Sequence, residues 1–240
     1  QLMDKTLSKG TDLINATTNT LVDRAYLNMS GLDALHQGIE VDFVVKPFNW
    51  LDLKGMFSIG NWKWTSNSKG YFYDSTSQPI SSFDSKTGLI TYASGIQAAD
   101  QATMTVNIDG VKVGDSAQTT AALGANFYIA KGLRTGIDWN FYGRNYADWA
   151  FPSSSEIAFN GTKTYSTPWR IPSANTFDLN ASYKFKFGNL NTTIFGVVNN
   201  VFDQEYITDA LDGANHDWKT AYGVFYGFGR TYNVRLKIEF

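Results

Sequence analysis

The side chains in this chain that could do chemistry are aromatic and cationic, not nucleophilic. There is no cysteine, so thiol catalysis, disulfide frameworks and zinc knuckles are excluded. Two histidines, His36 and His216, cannot supply a three-histidine metal site. No G-x-S-x-G elbow, H-E-x-x-H pair or P-loop occurs, so no enzyme and no cofactor is expected. Asn107-Ile-Asp-Gly110 with Asp115 hints at a calcium turn but lacks the full acidic loop, and an ordinary hairpin is the favoured reading. Asp209, Asp212 and Asp217 read as a solvated acidic loop. What remains is a set of candidate ligand contacts: Trp62, Trp64, Tyr71, Phe72, Tyr73, Tyr142, Arg144, Tyr146, Trp149, Trp169, His216 and Trp218. Aromatic faces joined by a few cations can stack on and hydrogen-bond a flat or glycan-like ligand. The alternative for each is membrane-interface or loop packing, and a structural role for both histidines.

Such residues need a scaffold, and period-two alternation supplies it. Phe177, Leu179, Ala181, Tyr183, Phe185 and Phe187 alternate with Asp178, Asn180, Ser182, Lys184 and Lys186. Similar alternation runs through 39–46, 51–59, 120–129, 133–142 and 234–240, and residues 189–203 leave the apolar face undecided. Eight strands are expected: 1–9, 20–46 with a bulge near Ser30-Gly31, 49–65, 116–130, 132–147, 173–187, 189–203 and 226–240. Short turns at 46–49, 130–132 and 188–189 alternate with long polar stretches at roughly 66–115, 147–172 and 204–225. An up-and-down antiparallel meander with all its short turns at one end produces that pattern.

Composition bears on where such a sheet resides. The 240 residues carry a formal net charge of −2, which excludes a nucleic-acid partner held by a broad basic surface. Aromatic residues make up 15% and charged residues only 18%, and no apolar run reaches the ~18 residues of a membrane helix. The alternating apolar face is longer than in an ordinary soluble strand. Aromatic residues gather at the strand ends: Phe48, Trp50, Phe127, Phe187 and Phe240 near short turns, and Trp62, Trp64, Tyr142, Tyr146, Trp149 and Phe151 near long loops. Two girdles and a charged inner face predict an all-β, antiparallel transmembrane β-barrel in contact with outer-membrane lipid. A soluble sugar-binding β-sandwich is the alternative.

Several motifs then converge. Tyr26-Leu-Asn-Met-Ser-Gly31, Gln37-Gly-Ile-Glu-Val41 with Lys46-Pro47, Gly143-Arg-Asn-Tyr-Ala-Asp148, Val198-Asn-Asn-Val-Phe-Asp-Gln-Glu-Tyr206 and Gly229-Arg-Thr-Tyr232 resemble, in this order, the C-terminal part of TonB-dependent outer-membrane receptors. The resemblance implies that residues 1–240 are about the last eight strands of a 22-stranded barrel, with the plug and earlier strands outside this sequence. Gln1 opens it without a leader-like segment, as a mature chain or a fragment would. The resemblance also implies bacterial outer-membrane localisation and import of a scarce nutrient (siderophore, corrinoid, saccharide or peptide). The implied partners are the TonB energy-coupling complex, the barrel-assembly machinery reading Phe240, and an accessory surface lipoprotein. A small closed barrel acting as an adhesin, structural protein or passive porin is the rival.

Overall fold

The structure, a computed structural model, describes residues 2–149 and 159–239. Phe151 and Phe240 lie outside the described residues. The described chain is all-β: fifteen strands and no helix. It divides into two compact units, one of Gln1–Gln37, Trp62–Val113 and Trp149–Pro168, the other of Gly38–Asn61, Gly114–Asp148 and Trp169–Phe240.

In the first unit, β1 (Leu2–Asn15) pairs antiparallel with the beginning of β2 (Thr20–Phe48), with Gly10 opposite Tyr26 and Asn15 opposite Thr20. The Asn15 side chain accepts the backbone N–H groups of Thr17 and Thr18, closing the connection. The expected bulge is present. Lys5 faces Leu32 and Leu7 faces Met29, so β2 has one extra residue there, with Gly31 at φ 72°. That backbone suits glycine, and the slip moves the buried side chains from Ala25, Leu27 and Met29 to Leu32 and Ala34.

The stretch read from sequence as a long loop, 66–115, is largely folded. β4 (Ser68–Tyr73) pairs with β2, β7 (Thr103–Asn107) with β4, and β10 (Gly161–Thr164) runs parallel on β7. β5 (Ile80–Asp84) and β6 (Leu89–Tyr92) form a hairpin. Alternation drives the packing: Met104, Val106 and Ile108 are fully buried, as is Phe72. They join Leu13, Leu27, Met29, Ile80 and Trp149 in one core. Asp74 is buried at 4% exposure and accepts the backbone N–H groups of Thr76 and Gln78. Burial would raise its pKa, but those hydrogen bonds outweigh it and hold the carboxyl below its ordinary value.

The second unit is a meander. The end of β2 is followed by β3 (Leu51–Trp64), β8 (Thr119–Ala130), β9 (Leu133–Gly143), β11 (Ala174–Phe187), β12 (Leu190–Asn199) and β15 (Thr231–Glu239), adjacent in that order. Each named neighbour from β3 onward pairs antiparallel. Among the described residues β15 pairs on one side only, with β12, and no closed barrel is formed. Gly38 marks a close approach, because a Cβ there would lie 2.6 Å from the Ile59 carbonyl oxygen. The stretch 204–225 contributes β13 (Ile207–Leu211) and β14 (Gly223–Tyr226), a short hairpin of its own.

Cross-strand partners share a face, so the register sorts the side chains. One row reads Leu53, Ala125, Ile137, Leu179, Val198, Tyr232; the next reads Leu51, Phe127, Thr135, Ala181, Gly196, Val234. These rows are largely apolar and half-buried to exposed, reaching 79% at Val234, and the next row along carries Tyr183, Ile194 and Leu236, the last at 58%. They also settle residues 189–203: Ile194, Gly196 and Val198 share the apolar face, and Asn191, Thr193, Phe195 and Val197 take the other.

Candidate functional site

The opposite face of the second unit is polar and tied together. Lys54, Gly124, Asp138 and Asp178 occupy one register row. Lys54 Nζ meets Asp138 Oδ1 at 2.8 Å across the space that the side-chain-free Gly124 leaves. The Asn180 amide donates to Asp138 Oδ2 at 3.4 Å, and the Asn140 amide donates to Asp178 Oδ2 at 3.2 Å. Arg134 donates to Asn126 Oδ1 at 2.6 Å and the Tyr128 hydroxyl to Asp52 at 2.8 Å. This network was missed as a set of named residues in the sequence. The signal was there, since each member is the polar partner in an alternating strand, but only the register shows which ones meet.

Six of the aromatic and charged candidates fall in the second unit, around residues 143–148. β9 ends at Gly143, and Arg144 takes φ 53°, turning the chain. Its guanidinium donates to the Gly60 carbonyl at 2.9 Å. The chain then threads between two other segments. Ala147 N–H donates to the Trp169 carbonyl and Asp148 N–H to the Ala210 carbonyl, each at 2.8 Å, and Tyr146 bridges Arg170. Ala147, Ile171 and Ala210 form a small core beneath, with Trp169 packed against it. Parts of the stretches expected to be long loops, residues 147–148 and 169–171 from one and 207–212 from the other, thus contribute ordered walls.

Asp212 is buried here and acts as a hub. It accepts the Trp169 N–H at 3.1 Å and contacts His216 Nδ1 at 2.6 Å. It is therefore not part of a solvated acidic loop, as expected from sequence; its carboxylate fixes Trp169 and His216 together. Asp217, nearby, is held below its ordinary pKa by the Thr220 hydroxyl and backbone N–H. Trp218 is 65% exposed, and Tyr142 stacks on Tyr206 with ring centroids 6.5 Å apart. An accessible indole, a fixed imidazole and a tyrosine pair can stack on a planar ligand and donate to its oxygens.

The other candidates lie in the first unit and are differently placed. Trp62 stacks on His36 at 5.2 Å. Tyr71 and Tyr73 are half-buried on β4, while Trp64 packs against the core. Trp149 is 1% exposed inside that core, with the Lys9 ammonium 4.8 Å above its ring. Trp64 and Trp149, read from sequence as girdle or ligand residues, are packing residues here, and Phe72 is wholly buried against Phe159. Near the loop end of the second unit Phe202, Tyr226, Phe228 and Tyr232 are exposed as well as Tyr142 and Trp218.

Two motif segments hold each other. Asn200 sits at φ 48° and accepts the Gln204 N–H through its side chain, while its own N–H donates to Asp178. Asp203 accepts the Arg230 N–H at 2.7 Å, and Arg230 also donates to the Val201 carbonyl. Val198–Tyr206 and Gly229–Tyr232 are therefore a clasp that launches β15. At the calcium-like turn, Asn67 accepts the N–H groups of Ile108 and Asp109 and Gly110 adopts φ 83°, an ordinary turn. Among the described residues no group of three His, Asp or Glu is placed to hold a metal.

Neither a family model nor a curated protein matches the chain. Among solved structures it is similar to the siderophore receptor PiuA from Acinetobacter baumannii, with a TM-score of 0.33 and 16% identity over 97% of this chain and 32% of that one. It is also similar to BauA, the ferric preacinetobactin receptor from the same organism, with a TM-score of 0.37 and 13% identity over 96% of this chain and 33% of that one. The chain therefore spans about a third of the length of these receptors.

Proposed function

We propose that residues 1–240 form the C-terminal part of the wall of an outer-membrane transport receptor of the TonB-dependent kind, importing a scarce nutrient. The observation that carries this reading is the two-sidedness of the second unit. Its strands present exposed apolar rows on one face and an ion-paired, amide-rich network on the other. Water on both faces would leave that apolar face without a partner; hydrocarbon on one face gives each row the medium it suits. The ordered motifs Gly143–Asp148, Val198–Tyr206 and Gly229–Tyr232 support the family reading.

In this reading the polar network lines the transport path. Ligand capture falls to Tyr142, Tyr146, Trp169, His216 and Trp218, with Arg144 as the element that positions them. Trp62, Tyr71 and Tyr73 are assigned a lesser share, and Trp64 and Trp149 support from within. Energy would come from the TonB complex, insertion would use the assembly machinery reading Phe240, and an accessory lipoprotein would join at the surface. Binding and passage need no covalent step and no cofactor.

The test is insertion of the refolded chain into phospholipid vesicles, followed by protease protection and heat-modified gel mobility. Val234→Arg places a cation in hydrocarbon, at a cost of about 2–4 kcal/mol near mid-bilayer. It should abolish or strongly reduce insertion, whereas Lys237→Glu on the other face should not. Equal insertion of both variants, or an unmodified chain that stays in the aqueous phase without detergent, would reject the reading.

A further inference from the structure

Near the short-turn end of the second unit, the polar face changes character. Higher up, Lys54 is neutralised by Asp138, and beside the 46–49 turn Lys46 is neutralised by Asp52. Lower down, a basin of about 760 Å³ is lined by Lys131, Lys184, Lys186, Arg235 and Lys237. Its one acid among the described residues, Glu239, pairs with Lys237. A chain with 20 cationic and 22 acidic residues thus gathers five of its cations around one concavity.

Their arrangement is a trough. Lys184 is opposite Thr193, which is opposite Lys237; Lys186 is opposite Asn191, and Phe195 is opposite Arg235. The middle strand, β12, therefore provides a floor of Asn191 and Thr193, walled by Lys184 and Lys186 on one side and by Arg235 and Lys237 on the other, with Glu239 opposite Asn191 ending the second wall and paired with Lys237. The walls stand about 9.6 Å apart, two strand spacings, and cations along each wall repeat every ~6.8 Å. Arg235 lies over the Phe195 ring at 5.4 Å and closes one end.

We propose that this trough binds an acidic polypeptide segment in extended conformation. An extended chain sends alternate side chains left and right, and those on one side repeat every ~6.8 Å, the spacing of each wall. Its carboxylates would meet both walls at once, while Asn191 and Thr193 offer hydrogen bonds to its backbone. A single phosphate would have to draw both walls to one point. A lipid headgroup is disfavoured because these cations stand on the face opposite Val234, Leu236 and Ile238. The charges lie within about one Debye length of each other at ~0.1 M salt, so their fields add over the floor. The trough exists whether or not the opposite face meets lipid.

Fluorescein-labelled decaglutamate, titrated by anisotropy against the detergent-solubilised full chain, tests this. Saturable binding that weakens steeply with salt is expected. Lys184→Gln with Lys186→Gln, or Arg235→Gln with Lys237→Gln, should each weaken it about tenfold. Lys69→Gln, on β4 of the other unit, should leave it unchanged. Absence of binding by the unaltered chain, or equal loss from Lys69→Gln, would overturn the proposal. Displacement by inorganic pyrophosphate at a lower concentration than by unlabelled decaglutamate would assign the trough to a phosphate ligand and overturn it as well. The salt titration of the unaltered chain decides even if a double variant fails to fold, and circular dichroism identifies that failure.

Discussion

The first unit and the second use the same alternation to opposite ends. In the first, Leu27, Met29, Phe72, Met104 and Val106 are fully buried against one another. In the second, Ile137, Leu179, Ile194, Val234 and Leu236 stay between 38% and 79% exposed. Period two says only that one face of a strand is apolar; what that face meets is decided elsewhere. Outside β1 and β2, strand length goes with the outcome. The five strands packed in the first unit beside β1 and β2 run four to six residues, whereas the meander strands β3, β8, β9, β11, β12 and β15 run nine to fourteen. Nine to eleven tilted residues cross a bilayer and four to six do not.

Several measurements would break or sharpen this contrast. The largest effect is expected from Phe72→Ala, which removes a ring packed 4.6 Å from Phe159 in the first core. It should cost about 3–5 kcal/mol of that unit's stability, read as lost hydrogen-exchange protection at β4 and β7. Ile137→Ala, on the exposed face of the second unit, should change protection much less when the chain is in detergent. Comparable losses would mean that the exposed face has a protein partner. Next comes Val234→Arg against Lys237→Glu, at about 2–4 kcal/mol of insertion energy for the first and far less for the second.

A third measurement uses pH. The Asp74 carboxyl is held below its ordinary pKa, so its contribution is present above the unfolded value, near 3.9, and is lost as pH falls below that through the folded value. Acid should therefore loosen the first unit below about pH 4, and Asp74→Asn should remove much of that dependence while costing about 1 kcal/mol at neutral pH. An unchanged acid transition in the variant would show that other carboxylates set it. The smallest effect is expected at the Lys54–Asp138 pair, whose side chains are 53% and 27% exposed. Asp138→Asn should cost under about 1 kcal/mol, by chemical denaturation in detergent.

Much of the second unit was legible from the residues alone. β8, β9 and β11 follow the alternation of Leu123, Ile137 and Leu179 closely, and a bulge near Ser30-Gly31 is expected from the sequence and found. The first unit was hidden for two reasons. Its strands are too short to show a period, and Ser68-Lys-Gly-Tyr-Phe-Tyr73 looks like loop composition because Ser and Gly occupy buried positions beside Phe72. Its core also draws on residues far apart in sequence, from Leu13 to Trp149, whose proximity no local pattern encodes. Ala102, Met104, Val106 and Ile108 were the one local clue. In the candidate site, the aromatic residue types were readable, but Asp212 as the hub was not, since burial of that carboxylate depends on Trp169 arriving from another segment. The face of residues 189–203 needed the partners of Ile194 and Gly196 on β11 and β15.

The free side of β15 carries a consequence for handling. Among the described residues, this nine-residue strand has no strand partner on that side, beside Val234, Leu236 and Ile238. Such an edge is a template, and any other extended chain can dock onto it, including a second molecule of the same sequence. Dilute samples should therefore remain dispersed while concentrated ones seed ordered fibrils, and a single proline at Arg235 should raise the concentration at which fibrils begin.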